Sequence, residues 1–181
     1  MLSARPRTGD GQDPKRNKEM PDRAPHVSDQ LSIERDWIDY NGHLNMAYYT
    51  VLFDRAVDSV WATLGMGPQY AAARRLTTYT VEIHVCYLRE LHLDDRLRAT
   101  FQLLDNDAKR LHSFQELRHA DDGWLAATCE TLTLHVDMNG PRAAPFPGDV
   151  LERIETMRAS HAALPRPEQA GSIIGISRRR A

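Results

Sequence analysis

The segment that most limits what this chain can become is 45–65, NMAYYTVLFDRAVDSVWATLG. Leu52, Ala56, Val57, Val60, Trp61 and Leu64 recur three and four residues apart, the spacing of one buried helical face. Met46, Ala47, Tyr48, Tyr49 and Phe53 spread apolar surface around most of the circumference. A helix this apolar has to be wrapped rather than laid on a surface. It would span roughly 30 Å, the width of a small domain. Gly65, Gly67 and Pro68 predict its end.

What can wrap it follows in the chain. In 79–87, Tyr79, Val81, Ile83, Val85 and Tyr87 alternate with Thr80, Glu82, His84 and Cys86, the period of a strand. The runs 96–104, 110–118 and 124–136 read the same way, and 31–37 is a short strand ahead of the helix. The linkers His92–Asp95, Asp105–Lys109 and His119–Gly123 are polar and short, which predicts hairpins and an antiparallel sheet. Residues 150–157 form a short terminal helix. One apolar helix against a curved antiparallel sheet is an α+β domain.

Prolines cluster at both ends of the 181-residue chain, with only Pro68 between Pro25 and Pro141. Residues 1–28 are polar and aperiodic and predict a disordered extension. A flexible tail is expected over 163–181, which leaves one domain at 29–162. A net charge of -2 gives no general pull toward nucleic acid or an anionic membrane. No apolar window is long enough for a membrane span, and the N-terminus lacks a secretory core. Cys86 and Cys129 then read as reduced thiols of a cytoplasmic protein.

Phosphate loops, dinucleotide-binding glycines, HExxH, CxxC and the GxSxG elbow are all missing, and no metal or cofactor is expected. The chemistry that remains sits just ahead of the long helix, in DYNGHLN. Asp39, Asn41 and His43 alternate, so one loop can aim all three the same way. Asn45 is placed as the helix cap. A helix N-terminus offers free N–H groups that can hold a developing oxyanion. Asp39 beside them can act as nucleophile or as general base on water, with His43 to orient it or shuttle a proton. Spacing alone favours a second reading, in which these residues only cap the helix and make a turn. The rings of Trp37, Tyr40 and Tyr49 are likewise core residues or ligand contacts.

The order strand, D-x-x-G-H-x-N-x-A-x-Y, long helix, antiparallel sheet resembles the hotdog-fold acyl thioesterases of the 4-hydroxybenzoyl-CoA thioesterase type, over about 31–136. The blocks WIDYNGHLNMAYY, VEIHVCYLRE, KRLHSFQELRHADDGWLAAT, LTLHVD and APFP are similar to the betainyl-CoA thioesterases of carnitine breakdown. Asp39, Asn41 and His43 also match the D-x-N-x-H spacing of plant acyl-ACP thioesterases, and Tyr87–Glu90 their Y-x-R-E segment.

The resemblance implies a hotdog fold and hydrolysis of a small acyl-CoA, betainyl-CoA to glycine betaine and CoA. It also implies a homodimer or a tetramer built of dimers, with sheets paired edge to edge and sites at the interface. Asp39 would be the catalytic acid, assisted by Asn41, His43, Asn45 and Glu90. Trp37, Tyr40 and Tyr49 would hold the quaternary ammonium through their ring faces. Two alternatives share the fold: a module that binds acyl-CoA without hydrolysing it, and a dehydratase acting on 3-hydroxyacyl thioesters.

Overall fold

The computed structural model describes residues 24–176. The elements run β1 (His26–Val27), β2 (Leu31–Ser32), a 3-10 turn (Arg35–Trp37), α1 (Met46–Leu64), α2 (Pro68–Arg74), β3 (Leu76–Tyr87), β4 (Arg96–Asn106), β5 (Arg110–His119), β6 (Leu125–Asp137), β7 (Arg142–Ala143) and α3 (Gly148–His161). The seven-stranded sheet is ordered β1-β4-β5-β6-β3, with β2 also paired to β4 and β7 to β6, all antiparallel.

Helix α1 forms where its periodicity predicts. Asn45 caps it by accepting the Ala47 N–H at 3.0 Å. Gly65 ends it in the left-handed region at φ 74°, where a side chain would be strained. Tyr49, Leu52, Phe53 and Ala56 pack on Leu97, Leu117 and Ala127. Farther along, Val57, Val60 and Leu64 meet Phe101, Leu103 and Leu111, and α3 closes that end with Val150 and Ile154. Each fully buried Val, Leu, Ile or Phe among them contributes about 1.5–3 kcal/mol of transfer free energy. No helix among the described residues is long and apolar enough to cross a membrane.

The structure corrects three expectations. Residues 92–95 do not close a hairpin: β3 pairs with β6 at the far edge, so 88–95 is a crossover from one side of the sheet to the other. Leu91 pins it, fully buried, its carbonyl accepting the Leu44 N–H at 2.7 Å. Polarity at 92–95 records only that the end of the crossover is exposed. Second, the strand expected over 31–37 stops at Ser32 and gives way to the 3-10 turn.

Third, the folded unit extends past both expected limits. His26 and Val27 pair with Phe101 and Thr100, and buried Ser28 exchanges hydrogen bonds with Ala99. At the other end, Gly171 N–H donates to Glu130 at 2.7 Å and the Gln102 amide to the Pro165 carbonyl at 3.3 Å, so the chain runs back over the sheet. The expectations for 1–23 and 177–181 lie outside the described residues.

Candidate active site

Residues 38–44 make a tight reversal before α1. Ile38 bridges Leu44, and Asp39 N–H donates to the His43 carbonyl at 2.9 Å. Gly42 takes φ 82°, a conformation that favours glycine after Asn41. The Asp39 Oδ1 atom accepts the Asn41 N–H at 2.8 Å and the His43 N–H at 3.4 Å, which fixes the carboxylate at the mouth of the reversal. Both of these bonds use Oδ1.

The helix entrance has few donors to spare. Asn45 N–H goes to the Trp37 carbonyl, Ala47 N–H to the Asn45 side chain, and Tyr48 N–H to the Asn45 carbonyl. Among the described residues this leaves the Met46 N–H as the unclaimed donor of the first turn. Asn45 is therefore the cap, and its amide oxygen is occupied. Asn41 is exposed on the turn, where its backbone rather than its side chain holds Asp39.

Glu90 is brought in by the crossover. Its Oε2 lies 3.3 Å from His43 Nε2, and the His92 ring meets His43 edge-on at 5.1 Å. The donor atoms of His43, Glu90 and His92 all fall within 4.8 Å of one another, close enough for three ligands of a divalent cation, with Glu90 and His92 exposed. His92 carried no signal in the sequence; its distance along the chain from His43 hides the meeting. Two tyrosines tie the crossover to the helix: Tyr87 donates to the Met46 carbonyl at 3.2 Å and Tyr49 to the Arg89 carbonyl at 3.3 Å. Burial pushes the Tyr49 hydroxyl up to about 12, so it stays protonated and keeps donating.

The expected aromatic contacts separate. Trp37 is 6% exposed; Tyr48 stacks on it at 5.2 Å and the Arg55 guanidinium lies 4.6 Å over its ring. Tyr49 is 4% exposed and meets Tyr87 edge-on. Tyr40 is 97% exposed at the loop tip. Trp37 and Tyr49 are thus packed within this chain, and of the three rings only that of Tyr40 is exposed.

Residues 33–154 match the model of the thioesterase-like superfamily. A betainyl-CoA thioesterase of Pseudomonas aeruginosa is 40% identical over 141 residues, 78% of this chain and 89% of that protein. An L-carnitine dehydrogenase/betainyl-CoA thioesterase of Rhizobium meliloti is 36% identical over 81% of this chain but only 29% of its own length. Among solved structures, a Staphylococcus aureus protein in complex with CoA superposes with a TM-score of 0.78 at 28% identity, covering 85% of this chain and 98% of that one. A DHNA-CoA thioesterase from the same organism shares the fold at a TM-score of 0.68 and 15% identity, covering 83% and 99% of the two chains. A tight reversal leading into one long helix, a sheet packed on that helix and these likenesses agree: the chain belongs to the thioesterase-like superfamily and has the hotdog fold.

Proposed function

We propose that the protein hydrolyses acyl-CoA thioesters, with betainyl-CoA as substrate and glycine betaine and CoA as products. The observation that carries the reading is the Asp39 carboxylate, fixed by two backbone donors at the mouth of the loop that leads into the helix entrance and the unclaimed Met46 N–H. The 40% identity to a betainyl-CoA thioesterase supports the choice of acyl group.

In this mechanism the thioester oxygen accepts the Met46 N–H, which stabilises negative charge as the carbonyl becomes tetrahedral. Asp39 Oδ2 either attacks the carbon, giving an anhydride that water opens, or takes a proton from an attacking water. In both routes the C–S bond breaks, CoA leaves as thiolate and is then protonated. His43, paired with Glu90, positions the water or relays its proton. Asn41 and Asn45 hold the loop and cap, and Tyr40 is the ring free to meet the substrate.

A long edge, unpaired among the described residues, supports assembly. Strand β3 has 12 residues, pairs on one side with β6, and exposes Tyr79, Val81 and Ile83. Such an edge is a template for a second strand, which fits a cytoplasmic homodimer or a tetramer built of dimers.

The test is thiol release from betainyl-CoA. Asp39→Asn keeps the backbone acceptor but loses nucleophile and base, and kcat falls about a thousandfold or more. Normal turnover by Asp39→Asn would remove Asp39 from the chemistry. Single turnover in heavy-oxygen water tests the nucleophilic route: label in the Asp39 carboxylate arises only when water opens the anhydride at the Asp39 carbon.

A further inference from the structure

The row of side chains that β5 turns toward α1 changes character midway. It reads Leu111, Ser113, Gln115, Leu117, apolar at both ends and polar between, and all four are buried. The next strands continue the polarity. Ser113 pairs with Thr131, while Leu111 pairs with Thr133, and Thr133 in turn with Thr80 of β3. Between this patch and α1 lies a groove of about 380 Å³, to which the helix contributes Thr50, Asp54, Val57 and Trp61.

Hydroxyls and an amide beneath a core helix are costly unless something satisfies them. Gln115 is 5% exposed and lines the groove, yet its Oε1 is buried with no hydrogen-bond partner. Among the described residues, no lysine, arginine or histidine lines the groove. Asp54 is exposed on α1 and, among the described residues, makes no hydrogen bond or ion pair. Its neighbour Arg55 is held elsewhere, 2.7 Å from Glu34 and over the Trp37 ring. The groove is therefore rich in acceptors, carries one uncompensated negative charge, and is apolar on the helix side at Phe53, Val57 and Trp61.

We infer that this groove receives the acyl end of the thioester and that Asp54 selects a permanently cationic acyl group, a methylated ammonium. The inference rests on the thioesterase reading above and names its specificity residue. A methylated ammonium offers positive charge to Asp54 and Gln115 and apolar methyls to Val51 and Phe53, which line the groove nearer the helix entrance. Asp54 lies roughly 13 Å along the helix from Asn45, and its side chain leans back toward the entrance. It therefore acts on a short acyl group through its field, across several ångströms, rather than by a hydrogen bond. At about 7 Å and an effective dielectric of about 20–40, that field corresponds to a roughly ten- to fiftyfold preference for the cation.

The test compares kcat/KM for betainyl-CoA with that for tert-butylacetyl-CoA, the same shape with carbon in place of nitrogen. Wild type prefers the cation, and in Asp54→Asn the ratio of the two values falls about tenfold. An unchanged ratio, or a wild type without preference, overturns the role of Asp54. Wild type that cleaves neither thioester overturns the catalytic reading instead. The groove is then judged by tetramethylammonium chloride binding followed by tryptophan fluorescence. A saturable response in wild type that is lost in Asp54→Asn supports the cation site; the same response in both, or none in either, overturns it.

Discussion

The two flanks of α1 face the same sheet and are built on opposite rules. On one, Val60 and Leu64 meet Phe101, Leu103 and Leu111, and α3 seals the end with Val150 and Ile154. On the other, Thr50 and Asp54 face Ser113, Gln115, Thr131 and Thr133 across a groove. The boundary falls within a single rung of the sheet, where Leu111 pairs with Thr133. One side gains from excluding water completely; the other forgoes that gain to present acceptors. Stability and recognition are thus divided between two sides of one helix.

Three measurements press on that division. The largest effect is expected from Leu111→Ala, which opens a cavity on the sealed flank and costs about 2–5 kcal/mol in urea unfolding. A cost below about 1 kcal/mol would mean that the flank is not the stabilising one. Next comes acid. His135 and His161 sit on the sealed side, where burial lowers their pKa values. His161 Nδ1 accepts the Leu103 N–H at 2.9 Å, and His135 donates through Nδ1 to the Ala144 carbonyl, leaving Nε2 to accept from Tyr70. Both arrangements need the neutral ring. A lowered folded pKa means that the unfolded chain binds more protons, so stability is full above the ordinary histidine value near 6.5 and falls as pH drops below it. The urea midpoint is therefore lower at pH 5.5 than at pH 7.5; equal midpoints would contradict this. The smallest effect is expected from Thr133→Val on the recognition side, which leaves stability unchanged or raises it by about 0.5–1 kcal/mol. A loss above about 1 kcal/mol would erase the contrast with Leu111.

Legibility in the sequence followed how local each cause was. Helix α1 and the β4-β5-β6 meander are written in periodicities of three to four and of two, and both formed as expected. The crossover was misread because a polar stretch between strands looks the same whether the chain turns back or crosses over. Strand β1 gave no signal, since a two-residue strand is too short to show a period. At the site, Asp39 and the Asn45 cap were visible in one short loop. Glu90 was reached only through the resemblance of Tyr87–Glu90 to a family segment, and its partner His43 lies in another region of the sequence. The fates of Trp37 and Tyr49 were undecidable from ring type alone, because a core ring and a ligand ring share their chemistry.

The crossover also sets the order in which the molecule can become competent. Leu44 to Leu91 and His43 to Glu90 are contacts of high sequence separation, and both require β3 to have reached the far edge beside β6. Long-range pairings of this kind form slowly, after local helix and hairpins. A chain with α1 and the meander in place but β3 unpaired would hold much of its secondary structure and lack the His43–Glu90 pair. Recovery of turnover during refolding should therefore lag recovery of helix signal, making activity a readout of completed topology.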